Sequence, residues 1–228
     1  MDDTTPPHDP RARVSRWIPN ELPPEGQWHA IVRLSSALRR TIDLMMDTNA
    51  SEEAVLAAAE AMEEFADHLA EAPRGRKLWG FAETSNAGDP KAMFDSSPLM
   101  GLANPIAPPL TLAVEGDTVR GTAVFGSAYE GPPGHVHGGL VAAAFDEVLG
   151  MVQSLTGSPG MTGTLTIRYR KPTPLHREVR FEGRVDRVEG RKIFTQGTLH
   201  DGETLCAEAE GLFIAVDFEQ MRELASRR

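Results

Sequence analysis

The segment 137–155, HGGLVAAAFDEVLGMVQSL, restricts the fold more than any other part of the chain. Its large apolar side chains recur at spacings that cover most of the circumference of a helix, and such a helix needs burial on nearly every side. These side chains belong to Leu140, Val141, Phe145, Val148, Leu149, Met151, Val152 and Leu155. A chain of 228 residues with 40% hydrophobic content can bury one such core. The segment therefore predicts a central helix that other elements enclose.

Extended runs lie on both sides of this segment in the sequence. Before it, LTLAVEGDTVRGTAVFG predicts a hairpin of two strands around Gly116 and Asp117. After it and the turn GSPG, the runs TGTLTIRYRKP and EVRFEGRVDRV alternate apolar and polar residues, as half-buried strands do. Turns at 189–190 and 201–202 then separate two further strands. The sequence predicts an α+β fold in which an antiparallel sheet wraps around one long helix.

The chain divides into three parts by composition. Residues 1–26 hold six prolines and few large apolar groups, so we expect an arm that is disordered or extended along a neighbour. Residues 27–92 have helical periodicity followed by a linker rich in Gly, Pro, Asn and Ser. Residues 93–228 contain the central helix and the predicted strands. We therefore expect one main domain with an N-terminal extension.

Two amphipathic helices are predicted in this extension. Apolar positions recur at three-four spacing from Trp28 to Met45 and again from Val55 to Leu69. The short link DTNAS predicts that the two helices form an antiparallel hairpin. Asn49, with Glu52 three residues later, is typical of an N-cap and capping box for the second helix.

The charge distribution limits the possible partners. The formal net charge of −10 disfavours nucleic acids and anionic membrane surfaces, which bind through clustered Lys and Arg. The stretch 41–72 has nine acidic residues and no Lys or Arg, which indicates a solvated helix face or, alternatively, a docking surface. The stretch 161–200 has nine basic and four acidic residues. An anionic small molecule could bind there.

Several classes of protein are not expected. No window approaches the roughly 18 uncharged apolar residues of a membrane span, and the first residues lack the apolar stretch of a signal peptide. We therefore expect a cytoplasmic protein. Cys206 is the single cysteine, and its strand-like surroundings favour a buried small hydrophobe over a nucleophile. We expect neither a bound metal nor a cofactor.

Asp146 is the unusual residue of the central helix. A carboxylate among apolar side chains is costly unless it is paired, hydrogen-bonded or placed at a cleft where it takes part in chemistry. Two interpretations remain open at this point. Asp146 is either a buried acid satisfied by a backbone amide or an arginine, or a catalytic group. Glu147 lies about 100° further round the helix, and we expect it at a helix edge.

The glycines at the start of the helix are either an ordinary helix start without a ligand or an anion-binding site. The first backbone N–H groups of a helix lack internal partners, and Gly138 and Gly139 allow a ligand oxygen to approach them closely. His137 is either a structural histidine that shapes the loop or a general base. Gly139 and Asp146 share a helix face but lie about 10 Å apart along the axis, too far to contact one carbonyl. We therefore expect the amide of one chain to meet the acid of another in a twofold dimer.

Three features together resemble a known family. They are GPPGHVHGG, the acid nine residues after His137, and the strand TGTLTIRYRKPTP. Over about residues 98–217 the chain resembles the hotdog-fold acyl-CoA thioesterases of the PaaI type, within the 4-hydroxybenzoyl-CoA thioesterase superfamily. The resemblance implies hydrolysis of acyl-CoA thioesters. It implies Asp146 as nucleophile or general base, the Gly139 amide as the group that polarises the carbonyl, and Thr162 as a residue that helps to place water.

The resemblance also raises expectations about the rest of the site. Many members carry Asn or Gln six residues before the histidine, where this chain has Gly131, so His135 or His137 would have to act in its place. Gly138 and His135 are further candidates for substrate binding. Coenzyme A carries phosphates, and the basic residues at the end of the strand after the helix are either its contacts or ordinary solvated charges. These basic residues are Arg168, Arg170 and Lys171.

The expected partners are an acyl-CoA with an aliphatic or aryl chain and a second copy of the protein, as a homodimer or a dimer of dimers. Two other functions remain possible. A hotdog hydratase or dehydratase would need a His base on a suitable spacing from an acid, and Asp followed five residues later by His occurs only at Asp3 and His8. A non-catalytic module would bind acyl-CoA, or dock another protein through the helical hairpin.

Overall fold

The computed structural model describes residues 26–72, 97–108, 110–158 and 160–216. The predicted arm before residue 26 and the predicted linker after residue 72 lie outside these ranges, up to residue 97. The helices are α1 (Gly26–Met46), α2 (Glu52–Glu71) and α3 (Gly138–Ser154), and a short 3-10 helix spans Ser127–Tyr129. The strands are β1 (Thr111–Glu115), β2 (Thr118–Val124), β3 (Gly160–Tyr169), β4 (Glu178–Glu189), β5 (Lys192–Asp201) and β6 (Thr204–Ala215).

The six strands form one antiparallel sheet in the order β1-β2-β4-β5-β6-β3. Helix α3 contacts β2, β3, β4, β5 and β6, so the sheet encloses it as the sequence predicted. The predicted turns are present, with Gly116, Gly190 and Gly202 in the left-handed region that glycine adopts without strain. The architecture of two strands, a central helix and four strands is therefore confirmed.

Glycines in the central strands let α3 lie close to the sheet. Gly183 of β4 pairs directly with Gly197 of β5. A β-carbon at Gly183 would come within 2.8 Å of Val152 Cγ2, and one at Gly197 within 3.2 Å of Leu149 Cδ2. The helix side chains fill the space that larger strand residues would occupy. Because α3 lies so close to the sheet, Phe145 of α3 and Phe181 of β4 are buried against each other. Their ring centroids are 5.3 Å apart.

Helix α1 is attached to the sheet domain by polar contacts. Arg39 donates from Nε to the carbonyl of Ala107 at 2.7 Å and from a terminal nitrogen to that of Asn104 at 3.0 Å. Asp43 accepts from the backbone N–H of Ser127 at 2.7 Å, and Asp47 accepts from the Ser127 hydroxyl at 2.6 Å. These bonds hold α1 against the 3-10 helix, beside the loop that leads to α3.

Helix α2 begins with a side-chain N-cap, as predicted, but at a different residue. The N-cap is Ser51, whose side chain accepts from the backbone N–H of Ala54, so the prediction of Asn49 as the cap is wrong. Asn49 lies two residues before the actual cap, so the link between the two helices is longer than the capping-box pattern predicts. The helix has no buried residue. Its apolar positions Val55, Met62 and Leu69 are exposed, so this face has no apolar partner within the described part of the chain.

Candidate functional site

Asp146 lies on an exposed part of α3, facing the first residues of β3. Thr162 donates a hydrogen bond from Oγ1 to Asp146 Oδ1 at 2.8 Å. The interpretation of Asp146 as a buried acid is wrong for a single chain, because the residue is exposed. Strand β3 is the last strand of the sheet order and leaves this side of the helix uncovered. Asp146 thus presents a carboxylate, oriented by one hydroxyl, at an open edge of the domain.

Glu147, the next residue, lies on the closed side of the helix. The Ser97 hydroxyl donates to Glu147 Oε1 at 2.7 Å, and it also accepts from the backbone N–H groups of Leu99 and Met100. Burial raises the pKa of Glu147 above its ordinary value, and the hydrogen bond from Ser97 offsets only part of that rise. Glu147 was expected at a helix edge, and there it is half-buried beneath the segment that contains Ser97. The segment before β1, which sequence patterns did not assign, covers this side of α3.

His137 is the N-cap of α3. Its Nδ1 accepts from the backbone N–H of Gly139 at 3.0 Å, so this bond requires the tautomer with the proton on Nε2. The Gly139 amide is therefore occupied in the unliganded chain. The amide of Gly138 has no hydrogen-bond partner among the described residues. The helix start thus offers one open N–H and one that a ligand oxygen could take from His137.

The loop before α3 is tightly folded. The N–H of Gly131 donates to the carbonyl of His135, and the N–H of His137 donates to that of Tyr129. A β-carbon at Gly131 would lie 2.7 Å from the Cα of His137, so no side chain fits here without moving the backbone. His135 is half-buried, and its Nδ1 contacts the carbonyl of Pro133 at 2.9 Å. The glycine at position 131 is therefore a requirement of this loop conformation.

The basic residues after α3 are exposed at the end of β3. Arg168 forms an ion pair with Glu210 at 2.8 Å, and Arg170 forms one with Glu208 at 2.6 Å. Both acids lie on the neighbouring strand β6. Lys171 is exposed, and no ion pair involves it within the described ranges. Of the three, Lys171 has the charge most available to an anionic ligand.

Sequence reasoning did not find two residues that hold the site together. One is Ser97, which no sequence motif or periodicity marks as part of the site. The other is Tyr169, whose hydroxyl donates to the carbonyl of Gly138 at 2.7 Å although its side chain was expected only to contribute to an apolar strand face. Tyr169 lies at the end of β3, near Gly138 and Gly139. Its hydroxyl, a polar group on an otherwise apolar side chain, was the feature that could have indicated a hydrogen bond.

Other features bear on the chemistry. Cys206 is buried, and burial raises the pKa of its thiol, so it lacks the character of a nucleophile. No group of three or more His, Cys, Asp or Glu residues within the described ranges could hold a metal ion. In the same ranges, no helix has both the length and the apolar character to cross a membrane.

Comparison with known proteins supplies two kinds of similarity. Residues 133–208 match the family model of the thioesterase superfamily. Acyl-coenzyme A thioesterase THEM4 from Bos taurus is 40% identical over 97 residues, which are 42% of this chain and 40% of the relative. Acyl-coenzyme A thioesterase THEM5 from Homo sapiens is 33% identical over 97 residues, 42% of this chain and 39% of the relative. The match thus spans about two fifths of the length of these curated relatives.

One solved structure is similar over most of the chain. It is a crystal structure of a thioesterase superfamily protein, 36% identical, with a TM-score of 0.70. The match covers 85% of this chain and 93% of the other. Coverage this large necessarily includes residues before 98, although the sequence motifs carried the resemblance only over about 98–217. The similarity therefore extends into the N-terminal part.

Proposed function

Because the chain belongs to the thioesterase superfamily, we propose that it hydrolyses acyl-CoA thioesters to the free acid and coenzyme A. The observation that carries the proposal is the exposed Asp146 carboxylate with Thr162 donating to one of its oxygens. A carboxylate that is oriented yet open to solvent can accept a proton from water or attack a carbonyl carbon. The curated relatives named acyl-coenzyme A thioesterases support the same substrate class.

The reaction divides between two parts of α3. The thioester oxygen binds at the helix start, where the Gly138 N–H is open and the Gly139 N–H can exchange His137 for the ligand. Partial positive charge at the helix N-terminus then stabilises the oxyanion that forms. Asp146 acts as general base for water or as the nucleophile. In the first case water adds to the carbonyl carbon, the C–S bond breaks, and the acyl group leaves as the acid. In the second case the carboxylate displaces the thiolate and forms a mixed anhydride, which water then hydrolyses to the acid and free Asp146. In both cases the thiolate leaves with a proton.

Histidine 137 is a candidate for the proton donor to the leaving sulfur. Its Nδ1 accepts from Gly139 N–H, so its proton is on Nε2. That N–H has no hydrogen-bond partner among the described residues, and the side chain is exposed. His135 is a weaker candidate, because its Nδ1 contacts a loop carbonyl and the residue is half-buried.

We propose that the complete site forms between two copies of the chain. Gly139 and Asp146 are separated by about 10 Å along α3, so one carbonyl cannot contact both within one chain. The exposed edge strand β3 and the exposed Asp146 lie on the same side of the domain. A twofold pairing through this side would bring the amide of one copy to the acid of the other and would cover an open sheet edge.

The substrate has two ends that different residues contact. Coenzyme A phosphates bind near the end of β3. There Lys171 has no ion-pair partner among the described residues, whereas Arg168 and Arg170 would have to exchange Glu210 and Glu208 for the ligand. An aliphatic or aryl acyl chain lies against the apolar residues of α3 and the sheet. Lys171→Ala should therefore raise KM for acyl-CoA more than Arg168→Ala.

Release of free thiol from a panel of acyl-CoAs tests the activity. Hydrolysis should appear for at least one aliphatic or aryl thioester. A non-catalytic binding module would release none, and a hydratase would change the absorbance of an enoyl-CoA without releasing thiol. Either outcome would overturn the proposal.

Mixing two inactive variants tests the shared site. Asp146→Asn removes the acid, and Gly139→Pro removes the amide hydrogen in the first helical turn, where it makes no helical hydrogen bond. If each site uses the amide of one copy and the acid of the other, an exchanged equimolar mixture regains about a quarter of wild-type activity, since half the dimers are mixed and each contains one intact site. A site within one chain would regain none.

A further inference from the structure

We propose that Tyr169 is a positioning residue, which fixes the peptide group between Gly138 and Gly139 for binding of the thioester oxygen. The inference rests on the proposed function, and it concerns a residue outside the set that the sequence motifs assign to the reaction. Tyr169 is the last residue of β3, and its side chain is 54% exposed. Its hydroxyl reaches across to the first turn of α3.

Two side chains hold this one peptide group from opposite ends. The Tyr169 hydroxyl donates to its carbonyl oxygen, that of Gly138, at 2.7 Å. The His137 ring accepts from its N–H, that of Gly139, at 3.0 Å. Carbonyl and N–H belong to one rigid plane, so a hydrogen bond at either end sets the direction of the other. The N–H that the proposed mechanism uses is thus aimed by a residue on a different element.

The two contacts differ in what happens when substrate binds. The thioester oxygen must take the place of His137 at the Gly139 N–H, so that contact is lost. The Tyr169 contact is on the carbonyl and does not compete with substrate. It therefore remains as the side-chain constraint on the peptide plane during the reaction.

The sequence at this point makes such a constraint useful. Gly138 and Gly139 are adjacent glycines, which have the greatest backbone freedom of any residues, and they lie in the first turn where helical hydrogen bonds are incomplete. A donor at the carbonyl oxygen also polarises the peptide group and strengthens its N–H as a donor. Orientation and polarisation both favour the oxyanion over the uncharged ground state.

The chain supplies a matched control, because it has only two tyrosines. The Tyr129 hydroxyl also donates to a backbone carbonyl, that of Ile106 at 3.1 Å, and not to the glycines of the helix start. The contact of Tyr129 with His137 is through its backbone carbonyl, which phenylalanine keeps. Tyr169→Phe and Tyr129→Phe therefore each remove one hydroxyl-to-carbonyl bond and leave the ring in place. In Tyr169→Phe the ring still packs at Gly138, where a β-carbon would lie 3.4 Å from Tyr169 Cζ.

We expect Tyr169→Phe to lower kcat about tenfold with KM changed by less than about twofold, the effect of losing one hydrogen bond that matters most in the transition state. Tyr129→Phe should leave both constants unchanged. In two-dimensional NMR spectra, the Gly139 amide signal should move in Tyr169→Phe and stay in place in Tyr129→Phe. Thermal unfolding of both variants checks that neither loses its fold.

Unchanged kcat in Tyr169→Phe, an equal loss in both variants, or an unmoved Gly139 signal would overturn the inference. Failure of the proposed function looks different. In that case the wild-type protein itself releases no thiol from any acyl-CoA, and Asp146→Asn changes nothing. The NMR comparison uses the unliganded protein and decides separately whether Tyr169 orders this peptide group.

Discussion

Asp146 and Glu147 are neighbours in the chain, and each accepts one hydroxyl hydrogen bond, yet their surroundings are opposite. Thr162 of β3 contacts Asp146 at 2.8 Å on the open side of α3. Ser97 contacts Glu147 at 2.7 Å on the covered side. One step along a helix turns a side chain by about 100°, which here separates solvent from the interior. Two similar carboxylates therefore have different environments, which is how proteins give neighbouring acids different chemistry.

Ser97 and Thr162, the residues that donate to these two acids, also differ in their surroundings. Ser97 uses its oxygen to accept two backbone N–H groups as well, so Glu147 is bonded to the turn at residues 97–100. Thr162 lies on an edge strand next to a register shift and contacts Asp146 alone. We infer that the Glu147 pair stabilises the fold and that the Asp146 pair serves the chemistry.

The largest effect should come from Asp146→Asn. Loss of a positioned base or nucleophile lowers turnover by about 10²-fold or more, while an exposed Asp to Asn change leaves the unfolding free energy nearly unchanged. The measurement is kcat on the best acyl-CoA substrate, with chemical denaturation alongside. Glu147→Gln makes the matching change one residue later and should retain most activity. Near-normal turnover in folded Asp146→Asn would remove the proposed mechanism.

Thr162→Val should have the next largest effect. It removes the hydroxyl that orients Asp146 and keeps a β-branched side chain suited to a strand, so we expect kcat to fall about tenfold with little loss of stability. Thr166→Val, an exposed change on the same strand, is the control. If the two variants have equal kcat, the Thr162 contact has no part in the reaction.

Ser97→Ala should lower stability and leave activity nearly unchanged, the opposite of Thr162→Val. It leaves Glu147 and two backbone N–H groups without their partner, which costs about 1–3 kcal/mol of unfolding free energy. Activity at a temperature where the variant is folded should stay close to wild type. Denaturant titration measures the first quantity, and thiol release the second. A stable but inactive Ser97→Ala protein would place Ser97 in the reaction instead.

Glu147→Gln should have the smallest effect, visible in the pH dependence of stability. Burial raises the pKa of Glu147 above its ordinary value of 4.5, so the folded chain keeps this proton at pH values where the unfolded chain has released it. Wild-type stability therefore falls, relative to Glu147→Gln, as pH rises from about 4.5 through the higher folded pKa. Denaturation of both proteins across this range gives the difference. Parallel curves would contradict a raised pKa.

The architecture could be predicted from sequence because each element carries a local pattern. Alternation in the strands, tight turns at 189–190 and 201–202 and the apolar α3 segment are all properties of neighbouring residues. The family resemblance indicated Asp146 and Thr162 as site residues, but the hydrogen bond between them was not predicted, since it joins a helix residue to a strand residue. No periodicity signals such a contact.

The side of α3 on which each acid lies could not be predicted in the same way. An apolar helix indicates burial, but it does not show that β3 is an edge strand or that residues 97–100 cover the opposite side. Both facts depend on strand order and on an irregular segment. The cap of α2 was misplaced for a simpler reason, since Asn49 and Ser51 both suit the position and only backbone geometry decides between them.

The way Arg39 attaches α1 has a consequence for how this protein can vary. Its guanidinium contacts main-chain carbonyls at 102, 104 and 107, and every residue type supplies such an oxygen. The bonds to α1 therefore depend on the backbone of this loop and not on the side chains of the residues that supply the oxygens. Those side chains have other tasks, since Ala107 is completely buried and Asn104 accepts from the backbone N–H of Ile106 through Oδ1. Arg39 itself cannot be replaced by lysine without loss of these contacts. The lysine side chain has a single nitrogen, which cannot donate to all three carbonyls.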